Sequence, residues 1–381
     1  MSVRRLIAIL LVLGGLLVVG LLLPGLGQTQ NAAQLPEPPL SAPAPQGTTI
    51  PLGTGLPLVV RTGLSFVDVE SIDENEQTYV ATVDLRLRWT DLRLRYAASE
   101  AAVGYREWRG EPAVEQLATM WTPDVNIANL VGDADADSRS LRIFPDGRVE
   151  LLRRVTATFK VPLDVTRFPF DHQALSIELV SRGEPVDRVA LDYRQEDLEF
   201  SRARAGLALD GWDIGRVSLT RDPIAGWYGE TYARLRASLD VGRVAGSTVA
   251  GLFIPLLASL LIPLLATWLN SVKDGEFQTE AFELTNIVIG GLFAVIALNF
   301  TVNTDRASLA NGQNTVALLF GLNYITLALA LAINIALFRF NVARSLAGRH
   351  VQHEVFLYIT WAMPLTVAAT AAAIVLIAAV S

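Results

Sequence analysis

The chain has 381 residues, of which 51% are hydrophobic and 18% charged, with no cysteine and a formal net charge of -7. That composition excludes disulfides, thiolate metal sites and cysteine nucleophiles, and it offers no basic patch for nucleic acid. Charge is also unevenly placed, which excludes a single large soluble domain. Thr48–Arg243 is rich in Asp, Glu and Arg, whereas Val244–Asn270, Leu284–Thr304, Ala307–Phe338 and Val355–Ser381 contain none of these and no Lys. Each uncharged stretch is long enough for the roughly 20 apolar residues that cross a bilayer as helix.

At the start, Arg4 and Arg5 precede the apolar run Leu6–Leu23 and the small-residue exit Pro24-Gly25-Leu26-Gly27. This is the layout of a secretory signal, and the run is also long enough for an uncleaved anchor, so residues 1–27 are expected to be one or the other. Residues 28–49, with Pro36, Pro38, Pro39, Pro43 and Pro45, hold neither a ladder nor a helix and read as a linker. Arg4 and Arg5 stay inside, the polar domain is exported, and four spans then return the C-terminus to the outside. Arg339, Arg344 and Arg349, between the last two spans, fall on the cytoplasmic side, where positive charge is favoured.

Residues 50–243 show strand periodicity. Val83, Leu85, Leu87 and Trp89 alternate with Asp84, Arg86, Arg88 and Thr90, and Val155, Ala157, Phe159 and Val161 alternate with Arg154, Thr156, Thr158 and Lys160. Leu175, Ile177 and Leu179 repeat the pattern, as do Leu235, Ala237, Leu239 and Val241. Period-two runs separated by Gly, Pro and Asp clusters predict antiparallel sheets with one buried face, and several such runs suggest a β-sandwich.

The second apolar stretch is bounded by Glu280 and Glu283 on one side and Asp305 and Arg306 on the other. As a helix, Glu283–Thr304 rises about 31 Å, close to the hydrocarbon thickness of about 30 Å. Alternate steps of three and four place Glu283, Asn286, Gly290, Phe293, Ala297, Phe300 and Thr304 on one face. Leu284, Val288, Leu292, Val295 and Leu298 lie on the others. Polar groups within a span usually face a bundle interior or a water-filled cavity, so this face is the candidate pore lining. One helix encloses nothing, and a pore therefore requires a ring of subunits. Phe293 and Phe300 would add apolar rings able to block ions by dewetting.

Specific motifs then narrow the reading. Trp89-Thr90-Asp91, Trp121-Thr122-Pro123-Asp124 followed by Asn129, Phe168-Pro169-Phe170-Asp171, Gly211-Trp212-Asp213, Arg243 and Pro255 occur in that order. Together they resemble the pentameric ligand-gated ion channels, the Cys-loop receptor superfamily, and most closely the bacterial branch that lacks the disulfide. Val161 and Leu175 occupy the places of its two cysteines. The resemblance implies an all-β extracellular sandwich of about ten strands followed by an all-α bundle of four transmembrane helices, with the second helix facing the axis of a pentamer. It also implies a gating junction at the membrane surface, matched here by Asp73, Asp171, His172, Arg243 and the loop 304–314. The ligand pocket matches less well. Ala128 and Asp84 stand at aromatic positions, leaving Trp227 and Tyr228 in the capping loop, while Arg86, Arg88 and Arg182 read either as solvated strand charges or as a preference for an anionic ligand.

Asp133, Asp135 and Asp137 open like a calcium loop, but Ser138 and Phe144 stand where an EF-hand needs Gly and Glu. His350 and His353 have no third ligand nearby. No G-x-S-x-G, P-loop or G-x-G-x-x-G frame has a fitting context, so catalysis is unsupported and no cofactor is expected. The expectation is a homopentameric, cation-selective channel of the bacterial inner membrane, in contact with lipids and opened by a small-molecule agonist or by protons. A non-conducting receptor sensing through its sandwich is the alternative.

Overall fold

A computed structural model describes residues 48–380 apart from residues 54, 102, 270–271, 274–275, 278–280 and 311–313. The side chains of Trp227, Ser247, Thr248 and residues 272–273 and 276–277 are likewise not described. The expected signal or anchor at 1–27, nearly all of the linker, and Glu280 therefore lie outside the described residues.

Two sheets build the first part of the chain. The larger has six strands in the order β3-β5-β6-β2-β1-β8. These are Arg106–Arg109 (β3), Ala136–Ile143 (β5), Arg148–Lys160 (β6), Thr78–Thr90 (β2), Leu58–Asp73 (β1) and Val189–Asp192 (β8). The smaller has four, in the order β4-β7-β12-β9. They run Val125–Ile127 (β4), His172–Ser181 (β7), Arg234–Arg243 (β12) and Trp212–Arg221 (β9). A short ribbon of Ile224–Ala225 (β10) and Thr231–Tyr232 (β11) carries the turn at Trp227–Gly229.

The alternation read from the sequence sets this architecture. In β2 every second residue from Tyr79 to Trp89 is buried. Its register with β6 places Val83 opposite Val155 and Ala81 opposite Ala157. In the other sheet Leu239 faces Leu175 and Ala237 faces Ile177. Both inner faces merge into one apolar core, in which Val161 and Leu175 are also buried. Core packing thus fills the positions where the family resemblance places cysteines.

After β12 come four helices long and apolar enough to cross a membrane: Val249–Trp268, Ala281–Asp305, Thr315–Arg339 and Arg349–Val380. The fourth helix begins earlier than its uncharged stretch, taking in Arg349 and Glu354. Buried polar side chains knit the bundle internally. Ser259 Oγ of the first span lies 2.8 Å from Asn323 Oδ1 of the third, and Asn323 Nδ2 donates to the Leu256 carbonyl at 3.2 Å. Asn299 Nδ2 of the second span donates to the Tyr324 hydroxyl at 3.1 Å. Where water is absent, such groups must pair within the protein. Close helix approach also selects glycine: a Cβ on Gly291 would lie 2.7 Å from Ile262 Cγ2, whereas one on Gly290 meets nothing within 4 Å.

Candidate functional site

The last strand ends, and the connection to the first span begins, at Arg243. Its side chain is 6% exposed and is held on several sides. Nε donates to Asp171 Oδ1 at 2.7 Å, Nη2 to Asp171 Oδ2 at 3.1 Å and Nη1 to Glu74 Oε1 at 2.6 Å. The guanidinium lies over the Trp212 ring at 4.2 Å and the Phe168 ring at 4.8 Å. Each partner is positioned by an element. Register places Trp212 of β9 opposite Arg243, Asp171 precedes β7, and Glu74 sits in the β1–β2 turn. Burial opposes the charge on Arg243, but the bonds to Asp171 and Glu74 outweigh it and hold the guanidinium pKa above its ordinary value. Gln173 Nε2 donates to Asp171 Oδ2 at 2.6 Å, so a carboxylate that is 2% exposed is saturated with donors.

The cluster joins the sandwich to the bundle. Phe168 is fully buried among the apolar side chains of the helices, and Arg306, just beyond the second span, lies over the same ring at 5.6 Å. Arg306 also reaches Glu74 at 3.5 Å, and Asn75 Oδ1 accepts from the Ser308 amide at 3.3 Å. A cleft of about 520 Å³ opens alongside, between the turn Ser71–Asn75 and Asp305 with Arg306.

Two expectations for this junction are corrected. Asp73 does not face Arg243; its Oδ1 accepts from the amides of Asn75 and Glu76 and closes the turn, and the neighbouring Glu74 supplies the carboxylate. A turn-initiating Asp is the sequence signal for this arrangement. His172, although next to Asp171, lies outside the cluster: its Nδ1 is 4.0 Å from Asp240 Oδ1, and both side chains are exposed.

The second corrected site is the arginine pair on β2. Arg86 and Arg88, together with Arg61, converge on Asp197 in the short helix Gln195–Phe200. The Asp197 side chain is fully buried, and Arg86 also lies over the Phe200 ring at 4.2 Å. Burial alone raises the Asp197 pKa, but the Arg194 amide and the Arg61 and Arg88 guanidiniums hold the carboxyl below its ordinary range. These arginines serve an internal anion. Arg182, exposed beyond β7, and Tyr228, fully exposed with φ 56°, belong to the side of the smaller sheet, whereas Arg86 and Arg88 stand on the larger one. The Trp227 side chain lies outside the described residues. Asp137 of the acidic loop is held by Arg139 and Arg153.

On the second span, Glu283, Asn286, Gly290, Phe293, Ala297, Phe300 and Thr304 are all exposed in the single subunit. Leu284, Val288, Gly291, Val295 and Val302 are buried against the other helices. The stripe is therefore turned away from the bundle of its own subunit. Leu292, placed by the sequence on one of the other faces, is exposed as well, while Leu298 is half-buried.

A family model of the neurotransmitter-gated ion-channel ligand binding domain matches residues 47–245. The chain is 29% identical over 268 residues to a proton-gated ion channel of Gloeobacter violaceus, covering 69% of this chain and 68% of that protein. It is 25% identical over 242 residues to gamma-aminobutyric acid receptor subunit theta of Mus musculus, covering 62% of this chain and 36% of that one. With glycine receptor subunit beta of Homo sapiens the identity is 26% over 227 residues, covering 57% and 43% respectively. The chain thus spans less than half the length of these two animal subunits.

Two measurements test the geometry. Arg243→Gln leaves Asp171 buried without its cation and should cost about 3–5 kcal/mol, seen as a lower thermal midpoint of the purified protein. Asp73→Asn, which can still close the turn, should change stability by no more than about 0.5 kcal/mol; a loss equal to that of Arg243→Gln would restore Asp73 to the cluster. For Asp197 the sign follows from its depressed pKa. Its stabilisation is complete above the unfolded carboxylate pKa of about 3.9 and fades as pH falls through the lower folded value. The stability gap between wild type and Asp197→Asn should therefore be constant above about pH 5 and shrink below about pH 4. A gap that widens in acid would contradict the assignment.

Proposed function

The chain belongs to the neurotransmitter-gated ion-channel family, and from that premise we propose that it forms a homopentameric, cation-selective channel in a bacterial inner membrane, lined by the second span and opened by an extracytoplasmic ligand or by protons. The observation that carries this reading is the exposed stripe Glu283–Thr304 on a helix whose opposite side is packed. In a ring of five subunits the stripe faces the axis, and Glu283 recurs around one mouth. At about 5 Å in water each carboxylate contributes about 0.8 kcal/mol to a monovalent cation, about 4 kcal/mol for five before screening. The sign reverses for an anion. Above this ring, Phe293 and Phe300 narrow the path with apolar surface, a section that closes by dewetting and opens when the helices tilt or rotate.

The Arg243 cluster is the coupling in this scheme. It binds the end of the last strand, the β1–β2 turn and the residues after the second span in one network, so a shift of the sandwich is passed directly to the pore helix. Fastening and transmission reside in the same contacts.

Reversal potentials of protein reconstituted in asymmetric salt test the pore. Cation-selective currents that lose their preference in Glu283→Gln are expected. Anion selectivity with Glu283 intact would overturn the carboxylate ring, and purified pentamers that stay silent across pH and ligand screens would favour a non-conducting receptor. For the junction, Arg243→Ala pentamers that reach the membrane should open poorly under a stimulus that opens wild type. Normal activation in that variant would remove the coupling role.

A further inference from the structure

The fourth span contains Pro364 well inside its helix. In an α-helix the carbonyl of residue i receives the amide of residue i+4, so the donor owed to the Thr360 carbonyl is that of Pro364, which has no N–H. The proline ring also crowds this carbonyl and turns it outward. In hydrocarbon no water can take the bond, and a bare carbonyl there is costly. The first span supplies the replacement: Trp268 Nε1 donates to the Thr360 carbonyl at 2.9 Å. The indole stands at the last residue of the first span, is 49% exposed on the flank of the bundle, and finds in this carbonyl the partner that a tryptophan N–H commonly takes. The Thr360 hydroxyl does not compete, because it donates to the Phe356 carbonyl at 2.8 Å.

We propose that this hydrogen bond is a latch that docks the N-terminal half of the fourth span onto the first and, through the first span, holds the second. Trp268 provides the donor, and Pro364 creates the vacancy that makes Thr360 an acceptor. The continuation to the second span is steric: Ile262, earlier on the first span, packs where a Cβ on Gly291 would lie. Gln352 Nε2 ties the same helix to the third span, donating to the Leu337 carbonyl at 2.8 Å and to Asn341 Oδ1 at 3.0 Å, and Phe356 and Met363 are buried in the bundle; the indole bond adds the directional contact to the first span. The latch is independent of whether the assembly conducts.

The test compares full-length wild type, W268F, P364A and the double variant W268F/P364A in identical lipid nanodiscs, by hydrogen–deuterium exchange and thermal midpoint. W268F leaves the carbonyl bare and should raise exchange across residues 355–363 about fivefold to tenfold, as for one lost hydrogen bond. P364A returns the helical donor to Thr360, so exchange in 355–363 should not rise and the indole should contribute less on this background than beside proline. In the double variant the helix satisfies the carbonyl and phenylalanine brings no N–H. Exchange in 355–363 should fall below that of W268F, with partial recovery of the midpoint. Additive losses in the double variant would overturn the latch. Exchange across residues 281–305 should follow that of the fourth helix in W268F; no change there would overturn the link to the second span.

Discussion

A positive charge with nowhere else to go organises this molecule. Arg243 stands where the sandwich ends and the chain turns toward the membrane, and its burial demands compensation from whatever surrounds it. Asp171 and Glu74 supply the charge, Trp212 and Phe168 the ring faces, and these groups come from three segments: the loop before β7, the β1–β2 turn and β9. The arrangement fixes how the β1–β2 turn and the loop before β7 meet the helices, because moving any one segment exposes an unpaired ion. Phe168 extends the same joint into the bundle, where its ring is packed among helix side chains while it still underlies both Arg243 and Arg306.

The two halves of the subunit solve different solvation problems. The sandwich buries one face of each sheet and leaves the other to water, so its stability rests on apolar area and its outer face carries ion pairs. Three arginines around Asp197 belong to this surface and pin a short helix to the larger sheet. The bundle has apolar surroundings, and there the ordering forces are directional. Ser259 with Asn323, Asn299 with Tyr324, and Trp268 with the Thr360 carbonyl each join two spans by satisfying polar groups that lipid cannot. Apolar contact alone would not choose among helix arrangements, since lipid chains are as apolar as leucine.

The second span presents a partly polar exposed face that its own subunit does not use. Glu283, Asn286 and Thr304 carry polar groups on that face, and Gly290 keeps it slim. In the proposed ring of subunits those groups would meet water at a shared axis. The glycines at 290 and 291 divide the labour: one faces outward with open space beside it, and the other admits Ile262 and Leu327 to the helix backbone.

Local periodicity was enough to assign the classes of element and, on the sandwich strands, the buried face. The period-two runs at Val83–Trp89 and Leu235–Val241 and the charge-free stretches needed only neighbours along the chain to be read, because burial on a strand or helix face repeats with local geometry. The stripe from Glu283 to Thr304 was legible for the same reason. The Arg243–Asp171 pair came from family resemblance, since nothing local in either segment names the other. Long-range packing selected Glu74 rather than Asp73 for the cluster, turned His172 to Asp240, brought Arg86 and Arg88 to Asp197, and set Trp268 against the carbonyl freed by Pro364. Each of these is a pairing between groups distant in sequence, or a choice between adjacent side chains made by where the backbone lies in three dimensions. A periodic pattern specifies a face; which partner stands before that face depends on how the faces are stacked.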